Sequence, residues 1–276
     1  MSAIGIAVPN LNQGRFLATA LASLDAGSHR VLVAMVDAGS TDESGSIIDA
    51  ARHRFAYVRT QPDAGQAAAV NEGVSALLAR HPEVAAVGWL NADDFYLPGG
   101  LAALAEALDA HSTWVAVTAR GYLADETGLV GDEIATQPFD ATTFARRCTI
   151  CQPATLIRRS AWEAVGGLDS GLDMCFDYDL WWRLGHIGTI GYLDAPAAVS
   201  RDHGGTKTRT MRRRYFTEAR AIVARERGVV PWHWFISDAL ERETGYVVGT
   251  RITGLARMRA GARAAWTYAR HRAGVD

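Results

Sequence analysis

The chain has 276 residues, 49% hydrophobic and 21% charged, which suits one large globular domain or one domain with an appendage. No apolar run reaches the roughly 18 residues that span a bilayer. MSAIGIAVPN at the start has neither a basic leader nor a signal-peptide core, so a cytoplasmic protein, free or resting on a membrane surface, is expected. The formal net charge of −2 hides an asymmetry: residues 1–200 hold 12 basic and 23 acidic residues, a net of −11, and residues 201–276 hold 16 and 7, a net of +9. An acidic body repels nucleic-acid phosphates, and no nucleic-acid module is recognisable, so a nucleic-acid partner is not expected. Cys148, Cys151 and Cys175 are too few for a disulfide framework. Cys148-Thr-Ile-Cys151 lacks the second pair that a zinc site needs, so buried reduced thiols are expected.

The first 120 residues alternate short apolar runs with helical patterns. Strands are expected at 4–8, 31–36, 56–60, 84–90 and 114–118. Helices are expected at 14–26, from the S/T-x-x-E box Ser40–Glu43 to about 54, at 65–80, and from Pro98 to 110. This order implies βαβ units and a mostly parallel central sheet flanked by helices. Further on, the pattern suggests a strand at 149–158, helices at 160–165 and 176–184, strands at 189–193 and 197–201, and a glycine-rich loop at 202–208. From about Thr210 the chain reads as helical, with a break near Gly228–Pro231.

Ligands of parallel α/β sheets bind beyond the carboxyl ends of the strands. Four successive strand ends are polar: Pro9-Asn-Leu-Asn12, Asp37-Ala-Gly-Ser-Thr-Asp42, Gln61-Pro-Asp-Ala-Gly65 and Asn91-Ala-Asp-Asp94. One such loop is ordinary, but four on one edge read as a site. If the chain stays extended after residue 90, Asn91 and Asp93 share a face and Asp94 points the other way, towards the helix that Pro98 opens. Asp93 is then a candidate ligand for Mg²⁺ or Mn²⁺, which take oxygen donors and bind through one or two carboxylates plus substrate phosphates. A solvated Asp93 with Asp94 as a helix cap is the competing reading. Turn and capping chemistry accounts for Ser40 and Asp42 but leaves Asp37 available to a base or ribose.

Seven segments occur in order: VPNLNQGRFLATALASL, VDAGSTDES, PDAGQAAAVNEG, WLNADDFYLPGGL, QPATLIRRSAWEAVGGLD, DYDLWWRL and RDHGGTKT. Together, over about residues 4–208, they resemble the signature segments of family 2 glycosyltransferases with the GT-A fold. A dinucleotide-binding Rossmann domain is excluded, because no GxGxxG follows the first strand. A sugar nucleotidyltransferase would need a glycine-rich N-terminal loop that is missing. The resemblance implies a catalytic domain at 1–208, with a donor half to about 120 and an acceptor half at 121–208, followed by a basic helical extension at 209–276.

The resemblance also implies roles. Pro9, Asn12 and Asp37 would hold the nucleoside, and Gly65, Gln66 and Asn71 would line the donor pocket. Asn91-Ala-Asp93 matches the DxD motif that meets the ribose and, through Mn²⁺ or Mg²⁺, the donor diphosphate. Two departures stand out: Val70 occupies a position where many relatives carry Arg, and Phe176 replaces the usual Glu. Inverting transfer needs one base on the acceptor side; Asp177 matches it, and Asp179 would be structural. Gln152 would lie beside the acceptor, and Trp181 could either wall the acceptor site or join the core. His203 would join the metal or diphosphate, and Lys207, the only lysine, would add positive charge as the Gly204-Gly205 loop closes.

The implied activity is transfer of a sugar from a nucleoside-diphosphate sugar, UDP first among nucleotides, to a hydroxyl of a saccharide, lipid-linked or small-molecule acceptor. Surface polysaccharide, glycolipid or cell-wall glycan assembly is the expected setting. A non-catalytic nucleotide-sugar-binding scaffold is the alternative. The C-terminal arginines with Ile252, Leu255, Met258, Ala262 and Trp266 allow two readings. The helices either pack on the domain or lie peripherally on a membrane.

Overall fold

The computed structural model describes residues 3–245 and 254–274. Its elements, in chain order, are β1 (Ala3–Asn10), α1 (Gly14–Ala22), β2 (Arg30–Asp37), α2 (Ser44–Ala50), β3 (Phe55–Thr60), α3 (Gln66–Arg80), β4 (Val84–Trp89), β5 (Phe95–Tyr96), α4 (Gly100–Ala110), β6 (Trp114–Ala124) and β7 (Val130–Glu133). Then come α5 (Ala141–Phe144), β8 (Thr155–Arg158), α6 (Arg159–Val165), α7 (Phe176–Ile187), β9 (Thr189–Arg201), α8 (Lys207–Thr210), α9 (Arg212–Arg227), α10 (Trp232–Thr244) and α11 (Gly254–Arg272). Two compact units result: Met1–Asp140 with Thr149–His203, and Ala141–Cys148 with Gly204–Asp276. The second unit thus begins a few residues before the expected division after 208, and it takes in Ala141–Cys148 as well.

The first unit is built on one sheet in the order β3-β2-β1-β4-β8-β6-β9-β5, with β7 paired to β6. β3, β2, β1 and β4 are parallel. β1, paired on both sides by parallel strands, is buried along its whole length, which is why AIGIAVPN reads as a mostly apolar run. The sheet is mixed beyond β4: β8 runs antiparallel to β4 and β6, β9 is parallel to β6, and β5 is antiparallel to β9. The expectation of a mostly parallel sheet therefore holds for the donor half only. β5 has two residues, too few for periodicity to announce it, and β8 occupies only the last four residues of the strand expected at 149–158.

Packing overrides local propensity at several ends. The segment 189–201 is one strand rather than two, paired to β6 through register shifts around Ala119–Gly121. Ser40 does not cap a helix; its hydroxyl donates to Asp37, and α2 begins only at Ser44. α4 begins at Gly100 after a left-handed Gly99, not at Pro98. Lys207 opens the short α8 instead of lying in a loop. A core cluster of this unit joins Ile6, Leu17, Met35, Leu90, Leu104 and Leu156 on one face of the sheet. All three cysteines are unbridged thiols, with Cys151 and Cys175 buried.

In the second unit, α10 joins Ala141–Cys148 through Trp234, whose Nε1 donates to the Ala145 carbonyl at 2.8 Å. Buried Asp238 accepts from Arg220 and Arg242 and ties α9 to α10. Ile252 lies outside the described residues. Among the described residues, no helix is long and apolar enough to cross a membrane.

Candidate active site

The carboxyl ends of β1, β2 and β4 form the floor of the site. Asp37, the last residue of β2, is buried and takes four donors. Asn10 Nδ2 at 2.6 Å and Ser40 Oγ at 2.5 Å meet Oδ1, while the N–H groups of Gly39 and Ser40, at 3.1 and 2.9 Å, meet Oδ2. The turn chemistry that seemed to leave Asp37 out thus centres on it. Asn12 is exposed, has φ +53°, and accepts from the Thr41 N–H at 2.8 Å, while its own N–H donates to Ser40 Oγ. Loops 9–12 and 37–42 are therefore one hydrogen-bonded piece. Pro9 is buried within β1. Asn10 is buried too, and its Oδ1 has no partner among the described residues, leaving an acceptor at the strand end.

After Trp89 the chain does not continue extended. The Asp94 N–H donates to the Asn91 carbonyl at 3.0 Å, closing a turn. Asn91 therefore pairs with Asp94, not Asp93: its Nδ2 donates to Asp94 Oδ2 at 2.9 Å. Asn91 also accepts from Gln66 Nε2 at 2.7 Å and donates to Gln152 Oε1 at 3.2 Å, and Gln152 Nε2 donates to the Trp89 carbonyl. The Asn91 amide is fully occupied, and Gln66, Asn91 and Gln152 form one chain across the site. Asp94 is buried and does not cap α4; Arg201 N–H donates to its Oδ1 at 2.9 Å. Burial first, and the charge of Asp93 second, push its carboxyl upward, opposed by donors from Arg201, Asn91 and Ser200.

The turn leaves Asp93 aimed elsewhere. Its Oδ2 lies 3.1 Å from His203 Nε2, with the imidazole almost wholly buried and 19% of the Asp93 side chain exposed. Arg15, on α1, reaches His203 Nδ1 at 3.4 Å and pairs with Glu126. The His203 ring lies 4.9 Å from the Phe16 ring. Arg201 lies over Phe16 and Phe95, and its Nε donates to the Asp93 carbonyl at 2.9 Å.

The expected Asn91–Asp93 face is thus replaced by an Asp93–His203 pair. Among the described residues, no group of three or more His, Cys, Asp and Glu forms a metal cage. One carboxylate and one imidazole fit a divalent ion whose remaining ligands are substrate oxygens and water.

Gly65 immediately precedes α3 and has φ +111°, a conformation glycine adopts readily. Asn71, one turn into that helix, is engaged by backbone: Nδ2 donates to the Leu168 carbonyl at 2.8 Å and Oδ1 accepts from the Leu168 N–H at 2.9 Å. It fastens the loop after α6. Val70, next to it, is buried.

Asp177 lies in the first turn of α7 and is partly buried. Burial lifts its carboxyl to about 6, against the pull of the Tyr178 N–H, which donates to Oδ1 at 2.7 Å. Asp179 is buried and bound by Arg183 at 2.7 Å; Arg183 also donates to the Val165 and Gly167 carbonyls, so this pair ties α7 to the loop after α6. Cys151 lies within electrostatic reach of both carboxylate groups: burial, then Asp94 and to a lesser degree Asp177, push its thiol up to about 12. Trp181 does not wall a pocket. It is fully buried and stacked on Trp89, ring centroids 6.0 Å apart, and its neighbour Trp182 is buried as well. Lys207 belongs to the second unit, exposed on α8.

Reading the sequence missed Asn10, Arg15, Glu126 and Arg201. Arg201 had a signal: it shares a strand face with Ala197 and Val199, an unusual place for a charge.

A family model described as glycosyl transferase family 2 matches residues 5–166. The chain belongs to glycosyl transferase family 2. Solved structures agree on the fold of this glycosyltransferase. Staphylococcus aureus TarS 1–349 in complex with UDP matches with a TM-score of 0.60 at 15% identity, over 88% of this chain and 72% of that one. The same protein with UDP-GlcNAc matches at 0.61 and 13%, over 99% and 83%. The mannosyltransferase PcManGT from Pyrobaculum calidifontis, in complex with GDP-Man and Mn²⁺, matches at 0.59 and 17%, over 99% and 80%. Among curated proteins, none matches the chain in sequence.

Proposed function

We propose that this glycosyltransferase is metal-dependent and inverting, and that it moves a sugar from a nucleoside-diphosphate donor, UDP first, to a hydroxyl acceptor in surface polysaccharide, glycolipid or cell-wall glycan assembly. The observation that carries the reading is the Asp93–His203 pair at the mouth of the parallel strands. The UDP, UDP-GlcNAc and GDP-Man of the structural neighbours favour a uridine or guanosine donor, and the Mn²⁺ of one favours that ion over Mg²⁺.

Asp93 and His203 would hold the ion, which when bound neutralises charge on the leaving diphosphate. Asp37 with Pro9, Asn10 and Asn12 forms the nucleoside cradle, and Gly65, Gln66 and Asn91 line its edge. Asn71 acts by holding the 166–168 loop.

Asp177 takes the proton of the acceptor hydroxyl as that oxygen bonds to the anomeric carbon. The bond from that carbon to the diphosphate oxygen breaks, and the nucleoside diphosphate leaves with the electron pair. Gln152 borders the acceptor side. A carboxyl titrating near 6 is ionised at neutral pH and basic enough for this step.

Release of nucleoside diphosphate by the purified protein, with EDTA and Mn²⁺ add-back, tests the reading. Metal-independent turnover would remove the role of Asp93, and full activity of Asp177→Asn would remove the base. Donor binding without transfer to any acceptor would favour the scaffold reading, for which Phe176 and Val70 leave room.

A further inference from the structure

The second unit leaves one helix face uncovered. α11 packs on α10 through small and aromatic residues: Ala260 and Ala264 are fully buried, and the Tyr268 ring lies 5.3 Å from Trp232 and 5.2 Å from Phe235. The large aliphatic residues and Trp266 point the other way. Leu255, Met258 and Trp266 are 56%, 68% and 62% exposed. With exposed Ala262 and Ala269 they fall on one stripe of a helix turning 3.6 residues per turn. Leu255, Met258, Ala262 and Trp266 are therefore not the face by which α11 packs on α10.

Charge borders the stripe. α11 carries five arginines and no acidic residue. At helical spacing Arg259 and Arg263 flank one edge and Arg272 the other. Arg270 lies over the Trp266 ring at 4.8 Å, and Arg263 also reaches Glu243. An apolar stripe edged by guanidinium groups is complementary to a surface with negative headgroups above hydrocarbon. Tryptophan favours that boundary, and arginine can lay its methylene stem along apolar surface while its head meets phosphate.

We propose that α11 docks flat on an anionic lipid bilayer, with Leu255, Met258 and Trp266 in the headgroup–acyl boundary and the arginines on lipid phosphates. The helix lies on the bilayer and does not cross it.

Sedimentation of the full chain with phosphatidylcholine vesicles, with and without phosphatidylglycerol, tests this. Binding is expected only with phosphatidylglycerol, weakening as salt rises, with a blue shift of emission that Trp266→Phe removes. Replacing Leu255, Met258 and Trp266 together by Ser should lower binding at least about tenfold with the melting temperature unchanged. Arg259→Gln and Arg272→Gln should each lower it about fivefold. Failure of the folded protein to bind anionic vesicles, equal binding to neutral ones, or undiminished binding by the triple variant would overturn the proposal. A dimer abolished by the triple variant would also overturn it, assigning the face to a second copy.

Discussion

His203 Nε2 meets Asp93 Oδ2 at 3.1 Å across 110 residues of sequence. The pair joins the turn after β4 to the residue that ends the first unit. Asp93→Asn keeps the shape and can still face His203 through its amide, so the fold should persist. The neutral amide is a poor ligand for a hard cation. Turnover with Mn²⁺ should fall about 100-fold or more, and calorimetry should show loss of metal-dependent donor binding, while the melting temperature moves little.

Asp177→Asn should separate activity from stability. Its carboxyl titrates near 6 in the fold, above the usual carboxylate value, because burial disfavours the charged form. Below about pH 4 both folded and unfolded chains are protonated there, and the group has no net effect. Between about 4 and 6 the unfolded chain loses its proton first, so stability falls as pH rises, by roughly 2 kcal/mol at completion. Asp177→Asn should therefore melt a few degrees above the parent at pH 8 and level with it at pH 4. Transfer should drop about 10³-fold. In the parent, kcat/KM should decline below about pH 6, where the base is protonated.

Asp37→Asn sets an amide against a cradle made only of donors. In one orientation its N–H₂ faces the backbone N–H groups of Gly39 and Ser40; in the other it faces the Asn10 amide and the Ser40 hydroxyl, which must both turn to accept it. A loss of about 2–3 kcal/mol is expected, read by denaturant unfolding. Weaker protection of the 9–12 and 37–42 backbone against hydrogen exchange should accompany it.

Asn71→Ala removes both bonds to Leu168 and leaves a partly buried N–H and carbonyl unsatisfied. The expected cost is about 2 kcal/mol. Asn71→Asp keeps the acceptor but turns the donor into a second acceptor facing the Leu168 carbonyl, so it should be no better. Thermal melts of the two variants side by side check this.

Much of the fold could be read from the residues because the donor half obeys period rules. β1 to β4 and the helices between them follow apolar runs and 3.6-residue spacing, and the expected bounds differ from the observed ones by a few residues. The mixed half was less legible: β8 and β5 are short, and their direction is set by which neighbour they pair with. At the site, sequence order brought Asp93 and His203 into one candidate set, but it could not show that the chain turns at Asn91. That turn, fixed by one backbone hydrogen bond, exchanges the partners of Asp93 and Asp94. Asp179 was legible as structural. The burial of Trp181 was not, since two adjacent tryptophans on a helix suggest opposite faces, yet the sheet side and the α6–α7 side both cover them.

Arg201 holds the carbonyl of Asp93 with Nε and the carbonyls of Asp125 and Glu126 with one terminal nitrogen. A donor-side turn and an acceptor-side hairpin are thereby anchored to a single residue of the last strand. Neither loop is an independent module for grafting or for natural drift. Changes that lengthen or reshape 125–129 will be felt at Asp93 unless Arg201 keeps its hold on both, so variation in acceptor choice should gather in segments that this arginine does not touch.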